Sequence, residues 1–236
     1  MFYDDCMEHR ELWPGGPLYA GEAVTADSLA LAAFAGTVPA ADVVDLGCGS
    51  GLLLLLLAAS RPSLGLTGVE LRPTAAAACR ENLRRNGLRG RVLCADLREA
   101  DLPRESADLA VSNPPYFSRG RGGVSPDPDR AVMRTESASL PELCAAAASV
   151  LRPGGSFCLV HRWDRKDEVL AALRGADLTP VELRCLCSRA GAEPRIFLCR
   201  GQKGAAGPLR EDAPLCQFGP DGRETAEYRK ICHWET

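Results

Sequence analysis

No apolar run in the chain is long enough to cross a bilayer: the longest, within Leu52–Ser60, falls far short of the roughly 20 residues a spanning helix needs. The start, around Asp4, Asp5 and Glu8, is acidic and lacks the basic-then-apolar layout of a secretory signal, so the expected location is the cytoplasm. Histidine is scarce. His9, His161 and His233 form no motif, which leaves metal catalysis and Ser–His triads without support, and no metal is expected. Cysteine is plentiful, at eleven, but CxxC pairs and nearby histidines are missing and the count is odd, which fits neither a disulfide framework nor a zinc site. The expectation is small buried hydrophobes in a reducing compartment. A strong net charge is also absent: the formal value of −3 argues against a protein that coats nucleic acid by charge alone. There are no internal repeats.

What is present is 236 residues, 46% hydrophobic and 25% charged, the composition of a soluble α/β domain with some decoration. Charge is unevenly spread. Acids dominate the first 45 residues, with Arg10 the lone base, whereas Arg184, Arg189, Arg195, Arg200, Lys203 and Arg210 face only Glu193 between 184 and 210. From residue 42, β-rich runs alternate with helical stretches, which predicts a mostly parallel sheet with helices on both faces. Strands are expected at 42–46, 66–70, 91–95, 107–112 and 156–162, and helices near 51–60, 73–86, 139–151 and 165–175. Pro153-Gly154-Gly155 should cut the last strand of this series from the helix before it. Segments 180–188 and 194–201 read as an antiparallel hairpin. Segment 117–138, rich in Gly, Pro and Arg without periodicity, reads as a loop. The expected organisation is an acidic segment and helix at 1–40 covering a ligand site, one domain at 41–203, and a tail at 204–236 packed on it.

Val43-Val44-Asp45-Leu46-Gly47-Cys48-Gly49-Ser50-Gly51 is a strand that runs into a glycine loop and then a helix, the layout of a nucleotide-type site. A dinucleotide fingerprint would need glycine at Leu52. The G-x-G-x-G spacing instead suits a cofactor with an amino-acid tail, with Asp45 near the tail's ammonium. Alone, the loop could equally be a ligand-free strand-to-helix turn. Two acids favour the pocket: Glu70 ends the second strand, where a carboxylate can accept both hydroxyls of a ribose, and Asp96 ends the third, within reach of an adenine amino group.

After the fourth strand comes Asn113-Pro114-Pro115-Tyr116-Phe117. The lone pair of an exocyclic amine on a ring is delocalised, so the nitrogen is a poor nucleophile. Hydrogen bonds accepted from its two N–H groups, by the Asn113 side-chain oxygen and the Pro114 carbonyl, favour a pyramidal nitrogen aimed at a methyl donor. Proline keeps that carbonyl aimed, and Tyr116 can stack on a planar acceptor taken out of its helix.

Over residues 40–202 this layout resembles the class I S-adenosylmethionine-dependent methyltransferases. The resemblance implies a Rossmann-like α/β fold with a mostly parallel seven-stranded sheet and a C-terminal antiparallel hairpin. It also implies S-adenosyl-L-methionine held by Asp45, Gly47, Cys48, Gly49, Gly51, Glu70, Leu71, Asp96, Leu97 and Asn113. Asn-Pro-Pro-Tyr resembles the motif of enzymes acting on adenine N6, cytosine N4, guanine N2 or the glutamine side-chain amide. The glutamine enzymes carry a helical domain before the glycine loop, for which the forty-odd residues before Val43 are too few. Other features are similar to the bacterial tRNA adenine-N6 methyltransferases that act beside the anticodon of a valine tRNA, in the branch with a short hairpin and tail found in Gram-positive bacteria. They are Val24-Thr25-Ala26-Asp27 before an Ala/Leu-rich helix, Arg134-Thr135-Glu136, Leu159-Val160-His161-Arg162, and Pro208-Leu209-Arg210-Glu211-Asp212-Ala213-Pro214-Leu215. The expected function is therefore methyl transfer to the N6 amine of an adenine in tRNA. Arg119, Arg121, Arg130 and Arg134 in the loop, and Arg195, Arg200 and Lys203 on the hairpin, are the expected phosphate contacts. Alternatives are methylation of a protein glutamine or another nucleic-acid amine, and a non-catalytic cofactor- or RNA-binding module, which would have no use for an intact Asn-Pro-Pro-Tyr.

Overall fold

The structure, a computed structural model, describes residues 9–114 and 138–232. A small antiparallel ribbon, β1 (Arg10–Glu11) and β2 (Leu18–Tyr19), leads to helix α1 (Ala26–Gly36). Then follow β3 (Asp42–Leu46), α2 (Leu52–Ser60), β4 (Gly65–Glu70), α3 (Pro73–Arg85), β5 (Gly90–Cys94) and β6 (Ala107–Ser112). The second half holds α4 (Leu140–Val150), β7 (Leu151–Arg162), α5 (Lys166–Gly175), β8 (Leu178–Cys187), β9 (Ile196–Lys203), β10 (Arg210–Glu211), β11 (Leu215–Cys216) and α6 (Ala226–Cys232).

The main sheet runs β10-β8-β9-β7-β6-β3-β4-β5, with β11 also paired to β8. Strands β3 to β7 are parallel to their neighbours in that series, and β9 is antiparallel to both β7 and β8. The sheet has nine strands rather than the expected seven, because tail residues Arg210–Glu211 and Leu215–Cys216 each add parallel to β8. A two-residue strand is held by backbone pairing and carries no alternation for a sequence pattern to show.

Two apolar layers close on the sheet. On one face lie α1, α2 and the buried side of α3, with Leu52 to Leu57 all buried: α2 is apolar all round and works as a core helix. On the other face Leu143, Cys144, Ala147 and Val150 of α4 and Val169, Leu170 and Leu173 of α5 pack against Phe157 and Phe197. Cys48, Cys79, Cys144, Cys158, Cys187 and Cys199 are buried and Cys94 is exposed, so most of the described cysteines do serve as small apolar fillers. Among the described residues, no helix is long and apolar enough to cross a membrane.

Pro153-Gly154-Gly155 does not separate helix from strand. β7 already begins at Leu151, opposite Ala107, and its next paired residue is Ser156, opposite Leu109. The intervening residues form a bulge in which Gly154 adopts φ +81°, so the chain kinks without leaving the sheet.

The strand order fixes where a ligand can sit. From β3 the chain winds outward through β4 to β5, then returns to the other side of β3 as β6. The connections leaving β3 and β6 diverge, which opens a crevice at their carboxyl ends.

Candidate active site

In the β3–β6 register Asp45 lies opposite Val111, so Gly47 and Asn113, each two residues further on, leave the sheet side by side. The loop after β3 is sewn to its neighbours by its backbone. The Gly47 and Cys48 N–H groups both donate to the Val69 carbonyl, at 2.8 and 2.9 Å, and the Gly51 N–H closes a turn on the Cys48 carbonyl at 2.8 Å. Gly51 starts α2 at φ +85°, and a Cβ there would stand 2.6 Å from the Cys79 sulfur, so conformation and space both demand glycine.

These elements enclose a cavity of ≈ 340 Å³ whose wall includes Asp45, Gly47, Glu70, Arg72, Asp96 and Asn113. That volume is within the range of small-molecule sites. Asp45 is 1% exposed, and among the described residues neither of its carboxylate oxygens has a hydrogen-bond partner. Burial, and second the charge of Glu70, push its pKa up to about 8. A buried carboxylate without donors is costly, and a cation brought to it would relieve that cost.

Glu70, at the end of β4, is also buried but already hydrogen-bonded. Its Oε2 accepts from the Gly49 N–H at 2.8 Å, and its Oε1 accepts from the Arg72 N–H at 2.9 Å and from Arg72 Nε at 3.1 Å. Three of its roughly four lone-pair positions are thus in use, so accepting both ribose hydroxyls, as expected from sequence, requires Arg72 to yield one. Asp96 lies two residues past the end of β5. Its carboxylate receives the backbone N–H of Arg98 at 2.9 Å and a forked contact from the Arg98 guanidinium, which holds its pKa below the usual range. Leu71 and Leu97 line the same wall.

Asn82, in the last turn of α3 and fully buried, clamps the N-terminal segment to the glycine loop. Its Nδ2 donates to the carbonyls of Ala20 and Ser50, both at 2.8 Å, and its Oδ1 accepts from the Ala20 N–H at 3.0 Å. One turn on, Asn86 does the same to Leu18, accepting its N–H at 2.8 Å and donating to its carbonyl at 2.7 Å. The segment so held carries Tyr19 and Glu22 to the cavity rim, where Glu22 pairs with Arg72 at 2.9 Å. Across the crevice, Ser112 Oγ donates to the Leu46 carbonyl at 2.7 Å, and Asn113 Nδ2 donates to Ser28 Oγ of α1 at 3.0 Å. Pro114 also lines the cavity. Pro115, Tyr116, Arg119, Arg121, Arg130 and Arg134 lie outside the described residues.

Residues 19–175 match the model of the methyltransferase small domain. The chain belongs to that methyltransferase family. Among its relatives, the tRNA1(Val) (adenine(37)-N6)-methyltransferase of Aeromonas hydrophila is 35% identical over 183 residues, 77% of this chain and 77% of its own. The release factor glutamine methyltransferase of Bordetella pertussis is also 35% identical, over 150 residues that make up 60% of this chain; the match spans only 55% of that protein's length. A predicted O-methyltransferase from Agrobacterium tumefaciens shares the fold, with a TM-score of 0.71 at 23% identity over 88% of this chain and 95% of its own.

The methyltransferase hairpin separates the basic residues that sequence had grouped. Arg195 is exposed just before β9; its carbonyl accepts the Trp163 N–H at 3.0 Å, which places it at the carboxyl end of β7, the edge that carries Asn113. Arg200 lies mid-strand and pairs with Glu182 at 2.8 Å. Lys203 is at the opposite edge, 3.2 Å from Glu105 and donating to the Leu151 carbonyl at 2.8 Å. Neither is presented to the crevice. Sequence reasoning missed Ser28, Arg72 and Asn82. The last left a trace in the pair Asn82 and Asn86, four residues apart, the second being the C-cap of α3.

Proposed function

We propose that this methyltransferase uses S-adenosyl-L-methionine to methylate the N6 amine of an adenine in tRNA, and that it works in the cytoplasm. The observation that carries the cofactor assignment is Asp45, a buried carboxyl without a hydrogen-bond donor among the described residues, in the wall of the cavity that Asn113 also lines. In this reading Asp45 and the backbone of Gly47, Cys48, Gly49 and Gly51 hold the amino-acid part of the cofactor. Glu70 with Leu71 takes the ribose, and Asp96 with Leu97 takes the adenine. The bound cofactor supplies an electrophilic methyl on a positively charged sulfur. The segment 9–22, pinned by Asn82 and Asn86, covers the site and limits water access.

Asn113 and the Pro114 carbonyl accept the two N–H bonds of the acceptor amine, so the nitrogen pyramidalises with its lone pair along the line of transfer. Tyr116 is assigned to stack on the extruded base, and Pro115 to restrict the residue before it so that the Pro114 carbonyl stays aimed. The methyl would leave the sulfur, which keeps the bond's electron pair as a neutral thioether, and the alkylated nitrogen would then lose its proton to solvent, so no general base is required of the chain. Phosphate contacts come from Arg119, Arg121, Arg130 and Arg134 and, on the hairpin, from Arg195. The tRNA assignment rests on the relatives of that activity, which align over three quarters of both chains.

A second reading, methylation of a protein glutamine, is favoured by the Bordetella relative at equal identity over a shorter span. The deciding experiment offers methyl-labelled cofactor together with unmodified tRNA, rRNA, DNA or a protein extract, then digests the labelled product for mass spectrometry. N6-methyladenosine from tRNA is the expected result. Label confined to a protein glutamine would establish the second reading, and cofactor binding without transfer to any substrate would leave only a binding module.

A further inference from the structure

A side-chain amide presents an acceptor and a donor that differ by half a turn about one bond. For Asn113 to accept a hydrogen bond from an amine, its oxygen must face the acceptor. With the amide reversed, its NH₂ would oppose the N–H bonds of that amine, donor against donor, and the transfer geometry would be lost.

The contact that sets this choice comes from a helix far away in sequence. Asn113 Nδ2 donates to Ser28 Oγ at 3.0 Å, which commits Oδ1 to the other side of the planar group. Ser28 is buried in the first turn of α1, and both side chains line the cavity. Its hydroxyl lies 3.3 Å from Thr25 Oγ1, the N-cap of that helix. The serine proton can therefore point at Thr25 while a serine lone pair faces Asn113. The bonds then run in one direction, from amide to serine to threonine, and α1 is fixed by the core through Leu29, Leu31 and Phe34.

We propose that Ser28 is a positioning residue that fixes the amide of Asn113 with its oxygen toward the acceptor amine. This rests on the methyl-transfer reading above, in which Asn113 meets the amine directly.

The test is single-turnover methyl transfer to tRNA by wild type, Ser28→Ala, Ser28→Thr and Thr37→Ala, with cofactor and tRNA affinities measured in parallel. Thr37 caps the far end of α1, where its hydroxyl donates to the Phe34 carbonyl at 2.8 Å, so its loss weakens the same helix without touching Asn113. Ser28→Ala is expected to slow transfer about tenfold while both affinities stay within about twofold. Ser28→Thr should recover most of the rate, and Thr37→Ala should transfer normally. Transfer by Ser28→Ala at the wild-type rate would overturn the role, as would a slowing matched by Thr37→Ala, which would trace the effect to helix stability. Failure of the underlying reading looks different, since wild type itself would then put no label on a tRNA adenine, and the positioning role would fall with it.

Discussion

Asp45 and Glu70 stand on adjacent strands, and burial of the first, with the charge of the second added, pushes the Asp45 pKa up to about 8. The two acids therefore stand in unequal surroundings: Glu70 is tied to Gly49 and Arg72, whereas the Asp45 carboxyl has no hydrogen-bond partner among the described residues.

The first consequence is a pH-dependent stability. Because the folded pKa lies above the unfolded one, the folded chain keeps a proton that the unfolded chain has already released. Stability from this source is complete below the unfolded pKa, near 4, and is lost as pH rises through about 8. In calorimetric scans of cofactor-free protein, Asp45→Asn should gain in Tm over wild type as pH is raised across that window, and should bind S-adenosyl-L-methionine at least about tenfold more weakly. A Tm difference that does not change with pH would contradict the shift.

Replacing Asn113 by Ala should separate chemistry from binding. Turnover is expected to fall on the order of a hundredfold, as when one preorganised hydrogen-bonding group is lost from a transition state. Cofactor affinity by titration calorimetry should stay within about threefold. Parallel loss of both would mean that Asn113 holds the cofactor rather than the acceptor.

Asn82→Ala leaves the Ala20 N–H, the Ala20 carbonyl and the Ser50 carbonyl without their partner in a buried place. About 2–4 kcal/mol of stability should be lost in urea unfolding, and proteolysis should become faster between residues 9 and 20. If the segment stays protected, Asn86 and packing of Tyr19 suffice to hold it.

The hairpin cations should differ in their effect on RNA binding. Arg195→Ala should weaken tRNA binding and reduce the dependence of log affinity on log salt by about one, whereas Lys203→Ala should leave both unchanged because that ammonium serves Glu105 and Leu151. Filter binding over a salt series reads both slopes.

The strand ends were the most legible part of the chain. β3 and β6 fall at their expected boundaries, because runs such as Asp42–Leu46 and Ala107–Ser112 end at a glycine loop and at Asn-Pro-Pro, where the backbone has to change course. The cavity wall was legible for a related reason: Asp45, Glu70 and Asp96 each lie at or near a strand end, and a parallel sheet gathers such positions on one edge. Contacts between segments distant in sequence left much less trace. Ser28 lies 85 positions before Asn113 and Asn82 lies 62 after Ala20, separations that no local periodicity records. The Pro-Gly-Gly bulge misled because those residues also mark ends of elements, and only pairing with β6 on either side tells a kink from a break. Arg200 and Lys203 were grouped with Arg195 by charge, although successive residues along a strand carry them from one edge of the sheet to the other.

The two short tail strands have a consequence for how the molecule behaves among its own copies. Without β10 and β11, one side of β8 would offer a row of unpaired N–H and C=O groups, a template on which another chain could add a strand. Arg210 and Leu215 hold the tail over that edge, one by an ion pair to Glu182 of β8 and the other buried in the core. The tail thus completes the backbone pairing on that side of β8, a task separate from the cavity at the carboxyl ends of β3 and β6.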